Sequence, residues 1–373
     1  MRLKLLAAMA LAVLAMTAAA CGGSDDSTSS GGTGEASTGA TEASTETSGG
    51  SGQVDVGLDE PLELPSGNVK VGFFTAGTSN AWLNVLADTI NEKASEYGWD
   101  QPSLYDSEFD PAKQLDQMQN AVQQGGLNAA IVLPDDGTLE CKATTEQLPE
   151  AGIVPVILTV PVCGHEADTG EESWEPGILT FVGLQDNAPF NKAWIKAAAE
   201  LNPGPQKVAL FRGPDVGGQG IAIEAAVQEF EEENDEFEVA YQIETNYTTA
   251  DGLAKARALL KANPDITVVM SAYSPDLTRG VLQALTEIGE AGKLPLIDVG
   301  ATEWTYEQME KGLIQMTTPL MPVNEAAATM EALKAAQEGK KVEKFIDPLP
   351  DDHPYTDPLI ITKDNMSEYK PQY

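Results

Sequence analysis

Short apolar runs and helically spaced apolar positions take turns along most of this chain. "NVKVGFF" has the length of a strand. The segment after it, Ala81 to Tyr97, carries Leu83, Leu86, Ile90 and Ala94 at helical spacing, and Gly98 stops it. "PSLYDS" reads as the next strand. "DPAKQLDQMQNAVQQG" reads as a helix with Asp110 as N-cap, Pro111 in the first position and an end at Gly125. "NAAIVLP", a helix over "TLECKATTEQLPEAG" and the strand "VPVILTV" follow. The same rhythm then starts again: "ILTFVGL" with a helix from Ala188 to Leu201, "KVALFRG" with a helix through Glu224 and Phe230, and "FEVAYQIE" with "DGLAKARALLKANP". It continues through "ITVVMSA" with "PDLTRGVLQALTEIG", "LPLIDVG" with a short helix around Tyr306 to Lys311, and "LIQMTT" with a helix from Val323 to Glu338. The terminal strand lies in "DPLIIT". Strands that are near-continuous apolar runs between helices belong to parallel sheets covered on both faces. Two such series predict an α/β protein of two doubly wound parallel-sheet lobes.

The first twenty residues fall outside that rhythm. Arg2 and Lys4 precede a mostly Leu, Ala, Met and Val stretch that is short for a membrane span, so residues 1–20 read as a signal peptide. The stretch ends "MTAAAC", which resembles the lipobox of bacterial lipoproteins, with Ala18 where a Leu is usual. That resemblance implies cleavage before Cys21 and a lipid on its thiol. The other reading is an ordinary secretory signal with Cys21 incidental. From Gly22 to Gly52 the chain is almost wholly Gly, Ser, Thr, Ala, Asp and Glu, with too little apolar surface to offset the entropy of ordering. Residues 21–65 are therefore expected to be a disordered tether, with a root-mean-square reach of roughly 35 Å. If Cys21 carries lipid, Cys141 and Cys163 remain as a pair in an oxidising compartment, either a disulfide or two partly buried thiols.

The remaining 300 or so residues suffice for two lobes with sizeable cores. The 58 acidic residues against 22 basic ones give a formal net charge of −36, which repels phosphates and argues against nucleic acid as a partner.

"DPAKQLDQMQNAVQQGGLNAAIVLPDD", "ANPDITVVMSAYSPDLTRGVLQAL" and "LPLIDVGATEWTYEQMEKGLIQMTT" resemble successive signatures of type I periplasmic binding proteins, in particular the ribose-binding-like substrate-binding proteins of ABC sugar importers. The resemblance runs in order from Asn68 to Thr362. It implies two lobes joined by three crossings, near Leu184 to Asn187, Thr318 to Pro322 and Tyr355 to Pro358. The lobes would then be residues 66–186 plus 322–355 and residues 187–321 plus 356–373. It implies a monomer held to the membrane by its lipid, a small-molecule ligand of carbohydrate type, a membrane permease as partner and no cofactor. A receptor feeding a sensor kinase needs the same closing motion and stays open as an alternative, as does a nucleoside or aromatic ligand.

In such sheets ligands sit beyond the carboxyl ends of the strands. There the sequence places Asn80, Trp82, Asp135, Asp136, Thr159, Arg212, Asp215, Tyr273, Ser274 and Trp304. The expected ligand-binding set is Asn80, Trp82, Asp136, Thr159, Arg212, Asp215, Tyr273, Ser274 and Trp304. Asn80 would donate and accept hydrogen bonds, and Trp82 would lay its ring on an apolar ligand face; packing against the sheet is the other reading for Trp82. Arg212 either grips ligand oxygens or pairs with an acid, and Tyr273 either stacks on ligand or packs at the hinge. Loop or surface packing remains open for Asp136, Thr159, Asp215, Ser274 and Trp304. The chain departs from the related sugar binders at Val160-Pro161, where they carry an Asp-Arg pair, at Glu224 in place of an Arg, and at Gly300 in place of an Asp. That leaves room for a less polar or larger ligand. The two histidines, His165 and His353, lie in polar loops, and no metal spacing or nucleophile–base–acid set is present, which argues against an enzyme. "GGQG" after Val216 lacks the lysine of a phosphate loop.

Overall fold

The structure, a computed structural model, describes residues 52–183, 185–214, 218–350, 353 and 358–373. The first lobe holds strands β1 (Gln53–Val54), β2 (Leu62–Glu63), β3 (Val71–Thr75), β4 (Ser103–Asp106), β5 (Ala129–Val132), β6 (Val154–Leu158) and β7 (Thr180–Val182). Between them run helices α1 (Ala81–Glu96), α2 (Pro111–Gln124), α3 (Gly137–Lys142) and α4 (Leu148–Glu150). The second lobe follows with α5 (Ala188–Leu201), β8 (Gln206–Arg212), α6 (Gly218–Glu233), β9 (Phe237–Glu244), α7 (Thr249–Ala262), β10 (Val268–Ser271), α8 (Asp276–Glu287), β11 (Leu296–Gly300), α9 (Glu303–Glu310) and β12 (Met316–Pro319). The chain then returns through α10 (Pro322–Gln337) and β13 (Phe345–Ile346) to the first lobe and ends with β14 (Ile361–Thr362) in the second.

Each lobe is built on one six-stranded sheet, in the orders β13-β7-β6-β5-β3-β4 and β14-β12-β11-β10-β8-β9. Pairing within both is parallel except for β14, which runs antiparallel to β12. β3, β5 and β6 are buried at every position, as strands covered on both faces must be. Polar caps start the helices just past the strand ends: Asn80 accepts from the Leu83 N–H, Asp110 from Ala112 and Lys113, and Asn187 from Phe190. Helix α10 packs against α1, so the final long helix belongs to the first lobe although its sequence follows the second.

Three features differ from the sequence expectation. Residues 52–65, expected to belong to a disordered tether, are ordered instead: β1 and β2 pair antiparallel, and Val54, Val56 and Leu64 are buried. Their apolar side chains, absent from the Gly/Ser-rich stretch before them, gain enough from burial to order the segment. Gln337 on α10 also donates to the carbonyls of Pro65 and Gly67, at 2.7 and 2.6 Å. The single helix expected over "TLECKATTEQLPEAG" is interrupted by a π-helical stretch, Ala143–Gln147. Pro149 has no N–H for a regular helical bond there, and the Leu148 N–H reaches back to Ala143 instead. Finally, Phe345–Ile346 pairs with β7 and adds a sixth strand that the sequence pattern did not mark.

Cys141, near the end of α3, and Cys163, in the loop after β6, are bonded in the structure, with their Cα atoms 4.7 Å apart. Closing a loop of 22 residues stabilises a fold by about 3 kcal/mol in the chain-entropy model. The oxidised protein is expected to be two hydrogens lighter than its reduced form and to lose stability of that order on reduction. Intact mass and urea melts with and without reductant measure both; two alkylatable thiols in the unfolded, unreduced protein would contradict the bridge.

Candidate functional site

The carboxyl ends of β3 and β5 in one lobe face those of β8 and β10 in the other. Each pair straddles the place where the strand order reverses. Between them lies a cavity with an empty volume of about 880 Å³, open mouth included. That is within the size range of small-molecule sites, roughly 300–1,000 Å³. The first lobe contributes Ala76, Asn80, Trp82, Leu83, Phe109, Pro111, Leu133, Pro134, Asp135, Thr159 and Val160. The second contributes Pro214, Gly218, Gln219, Tyr247 and Tyr273, while Gln185 and Asp186 come from the crossing between β7 and α5.

Backbone strain concentrates here. Phe109, Thr159 and Tyr247 are non-glycine residues with φ of 60°, 66° and 61°. For Thr159 this is especially unfavourable, because its branched Cβ crowds the following carbonyl. The Thr159 N–H bonds to Val182 at 2.8 Å and the Val160 N–H to Leu158 at 2.7 Å, which holds the kink. Strained residues of this kind cluster at ligand sites.

Four aromatic rings line the cavity. Tyr247 and Tyr273 meet edge to face at 5.7 Å, and Phe109 of the first lobe lies 6.5 Å from Tyr247 of the second. Two glycines make this possible by lacking a side chain. A Cβ on Gly213 would collide with the Tyr247 hydroxyl, and one on Gly77 would stand 2.7 Å from the Phe109 ring. A Cβ on Gly218 would likewise meet Val160 at 2.6 Å, so the lobes touch where α6 begins.

The polar groups of the wall are few and mostly without partners in the protein. Gln114 fixes the loop after β5 by donating to the Leu133 carbonyl at 2.9 Å and accepting from the Asp135 N–H at 2.8 Å. Burial pushes the Asp135 carboxyl up to about 7; the Ser107 hydroxyl works against that, and Asp110, Asp106 and Asp136 add to it. Burial alone raises Asp186 to about 8. Thr159 donates to Glu325 of α10 at 3.0 Å, and burial holds Glu325 well above the usual carboxylate range despite that bond. The Tyr247 hydroxyl donates to Gln219 at 3.0 Å. Trp82 Nε1, Asp135 Oδ2, Gln185 Oε1, Asp186 Oδ1 and the Tyr273 hydroxyl are enclosed yet unbonded. Such groups are rare unless something else satisfies them.

Of the expected binding set, the structure brings Asn80, Trp82, Thr159 and Tyr273 to the cavity. Asn80 already uses its amide oxygen on the Leu83 N–H, which leaves its NH₂ for a ligand. Four others do not line the cavity. Asp136 turns away to cap α3 through the Leu139 N–H at 2.9 Å, and its neighbour Asp135 takes the wall position instead. Arg212 lies behind the wall, donating to Gln242 at 3.0 Å and to the Gly213 carbonyl at 3.1 Å. Ser274 is fully buried in a hydroxyl pair with Thr305. Trp304 packs under the Arg279 guanidinium, 5.1 Å from its ring centre. Asp215 and Cys21 lie outside the described residues. The residues that sequence reasoning missed, Phe109, Gln185, Asp186, Gln219 and Tyr247, had a signal in part: Phe109 and Tyr247 sit just past the ends of β4 and β9, where the strand-end rule applies equally.

Among the described residues no cluster of His, Cys, Asp and Glu could hold a metal ion, and no helix is long and apolar enough to cross a membrane.

Residues 71–341 match the family described as "Periplasmic binding protein domain". No curated protein matches the sequence significantly. Among solved structures, the chain is similar to an ABC transporter solute-binding protein from Bacillus halodurans with bound myo-inositol, at 21% identity and a TM-score of 0.68, covering 82% of this chain and 98% of that one. A solute-binding protein from Mycobacterium smegmatis with bound glycerol gives 21% identity, a TM-score of 0.67 and the same coverages. The arabinose-binding component of an ABC transporter from Shewanella, bound to L-arabinofuranose, gives 18% identity and a TM-score of 0.68 over 80% of this chain and 94% of that one.

Proposed function

Because the chain belongs to the periplasmic binding protein domain family, we propose that it captures a small ligand between its two lobes outside the cytoplasm and hands it to the permease of an ABC importer. The observation that carries this is the cavity itself. It stands where two sheets present their carboxyl ends to each other, and its wall holds enclosed polar atoms that the protein leaves unbonded. A ligand that bonds to both walls favours the closed arrangement over an open one, which is the differential affinity hinge closure requires. Similar structures hold myo-inositol, glycerol and arabinofuranose, which supports a small hydroxylated ligand here. Asn80, Asp135, Asp186 and Gln219 would bond to it, and Trp82, Phe109, Tyr247 and Tyr273 would flank it.

A thermal-shift screen of the exported protein across sugars, polyols, amino sugars, nucleosides and aromatic acids tests the reading. A true ligand at about 100 times its dissociation constant adds roughly 2.7 kcal/mol. Silence across all these classes would count against ligand capture. Delivery to a permease calls for a molecule held near the membrane, and lipidation of Cys21 would supply that. Cys21→Ser is then expected to move the protein from the membrane fraction to the soluble one, and unchanged fractionation would remove the anchor.

A further inference from the structure

The described wall of the cavity contains two carboxyl groups, those of Asp135 and Asp186, and no lysine, arginine or histidine. Asp186 is only 5% exposed, accepts no hydrogen bond from any described residue, and has one oxygen fully enclosed. Glu325 stands near it, behind Thr159, with its own second oxygen enclosed and unbonded. Tyr247 also lies close to Asp186. The guanidinium of Arg212 is turned to Gln242 and the Gly213 carbonyl rather than to these acids.

A buried carboxyl group without a cationic or hydrogen-bonding partner is unfavourable, and it persists where something else completes it. What completes it here must also suit the four aromatic rings. Their faces carry negative charge density, which attracts a positive group held over them. A hard metal ion fits poorly, because it needs about six oxygen ligands and gains little from ring faces. A protonated amine fits both: it donates to carboxylates and lies against rings. The net charge of −36 adds a long-range field that concentrates organic cations around the molecule.

We propose that the ligand captured here carries a protonated amine, seated between the Asp186 carboxyl and the Tyr247 and Tyr273 rings, with Asp135 taking a further donor from the same molecule. This rests on the ligand-capture reading and narrows it from small hydroxylated molecules to cationic ones. A polyol could offer hydroxyl donors to the same carboxyls, but it would bring no positive charge to match them and the aromatic faces together.

Calorimetric titration of the whole exported protein at pH 8 with matched pairs tests it: D-glucosamine and D-glucose, D-galactosamine and D-galactose, tyramine and 4-ethylphenol. At least one amine is expected to bind about 30-fold more tightly than its neutral partner. Asp186→Asn, which keeps size and shape, is expected to erase that preference while a thermal melt shows the variant folded; Asp135→Asn serves as the second variant. Neutral members that bind as tightly as their amines overturn the inference and leave ligand capture standing. A preference that survives both substitutions overturns the assignment of the amine to these carboxyls. Silence from every probe, amine and neutral alike, overturns the inference and the capture reading together.

Discussion

Asp186→Asn is expected to make the ligand-free protein more stable, by about 2–4 kcal/mol at pH 7 and by almost nothing at pH 4. Burial raises this carboxyl from 3.8 to about 8. Between those values the folded protein holds a proton that the unfolded chain has released. Stability therefore falls as pH rises through that window, is free of the penalty below it, and carries the full penalty above it. The asparagine neither ionises nor titrates, so the variant loses that slope. The titratable groups facing Asp186 are Glu325 from α10 and Tyr247 from the turn after β9. Both are themselves raised, Tyr247 by burial and then by Asp186, and Glu325 by burial and then, against its Thr159 bond, by Asp186. Asp135, raised to about 7, tilts the wild-type curve the same way. Urea melts of both proteins at pH 4, 5.5, 7 and 8.5 give the comparison. Parallel curves would mean that Asp186 is satisfied in a way the structure does not contain. Together with loss of ligand, a gain in stability would mark Asp186 as a residue kept for binding at the expense of the fold.

Trp82→Ala is expected to cost about 3–5 kcal/mol of stability, a large part of what a lobe of this size holds. Trp82 is 5% exposed and packs in the core of the first lobe, yet the same side chain lines the cavity. Core packing and a place on the cavity wall, the structural side of the two readings the sequence offered, hold for Trp82 at once. Trp82→Phe separates them. It keeps one aromatic ring in the core but removes the second ring with its unbonded Nε1 donor, so it should lose less stability than Trp82→Ala while still leaving a smaller cavity. Denaturant melts without ligand measure both variants, and a Trp82→Ala protein within about 1 kcal/mol of wild type would remove Trp82 from the core.

The fold was largely legible in the sequence because parallel strands buried on both faces announce themselves as apolar runs, and Asp110-Pro111 marks a helix start. Phe345–Ile346 was not, since two residues carry no periodicity. The site was legible only as a rule about strand ends. That rule finds the right loops but not which side chain of a loop faces inward. Asp135 and Asp136 are adjacent and chemically identical, and what separates them is that one caps α3 and the other does not. Asp186 was hidden for another reason. It lies on a crossing between lobes, and its importance comes from neighbours such as Glu325 and Tyr247 that are distant in the chain.

The β1–β2 pair and the two bonds from Gln337 have a mechanical consequence. Any pull on the chain ahead of residue 52 enters the first lobe, where Val54, Val56 and α10 take up the load. The described crossings between the lobes lie beyond that clamp. If the chain is held to the membrane as proposed, a leash attached this way would load only the first lobe, and its tension would neither open nor close the cleft.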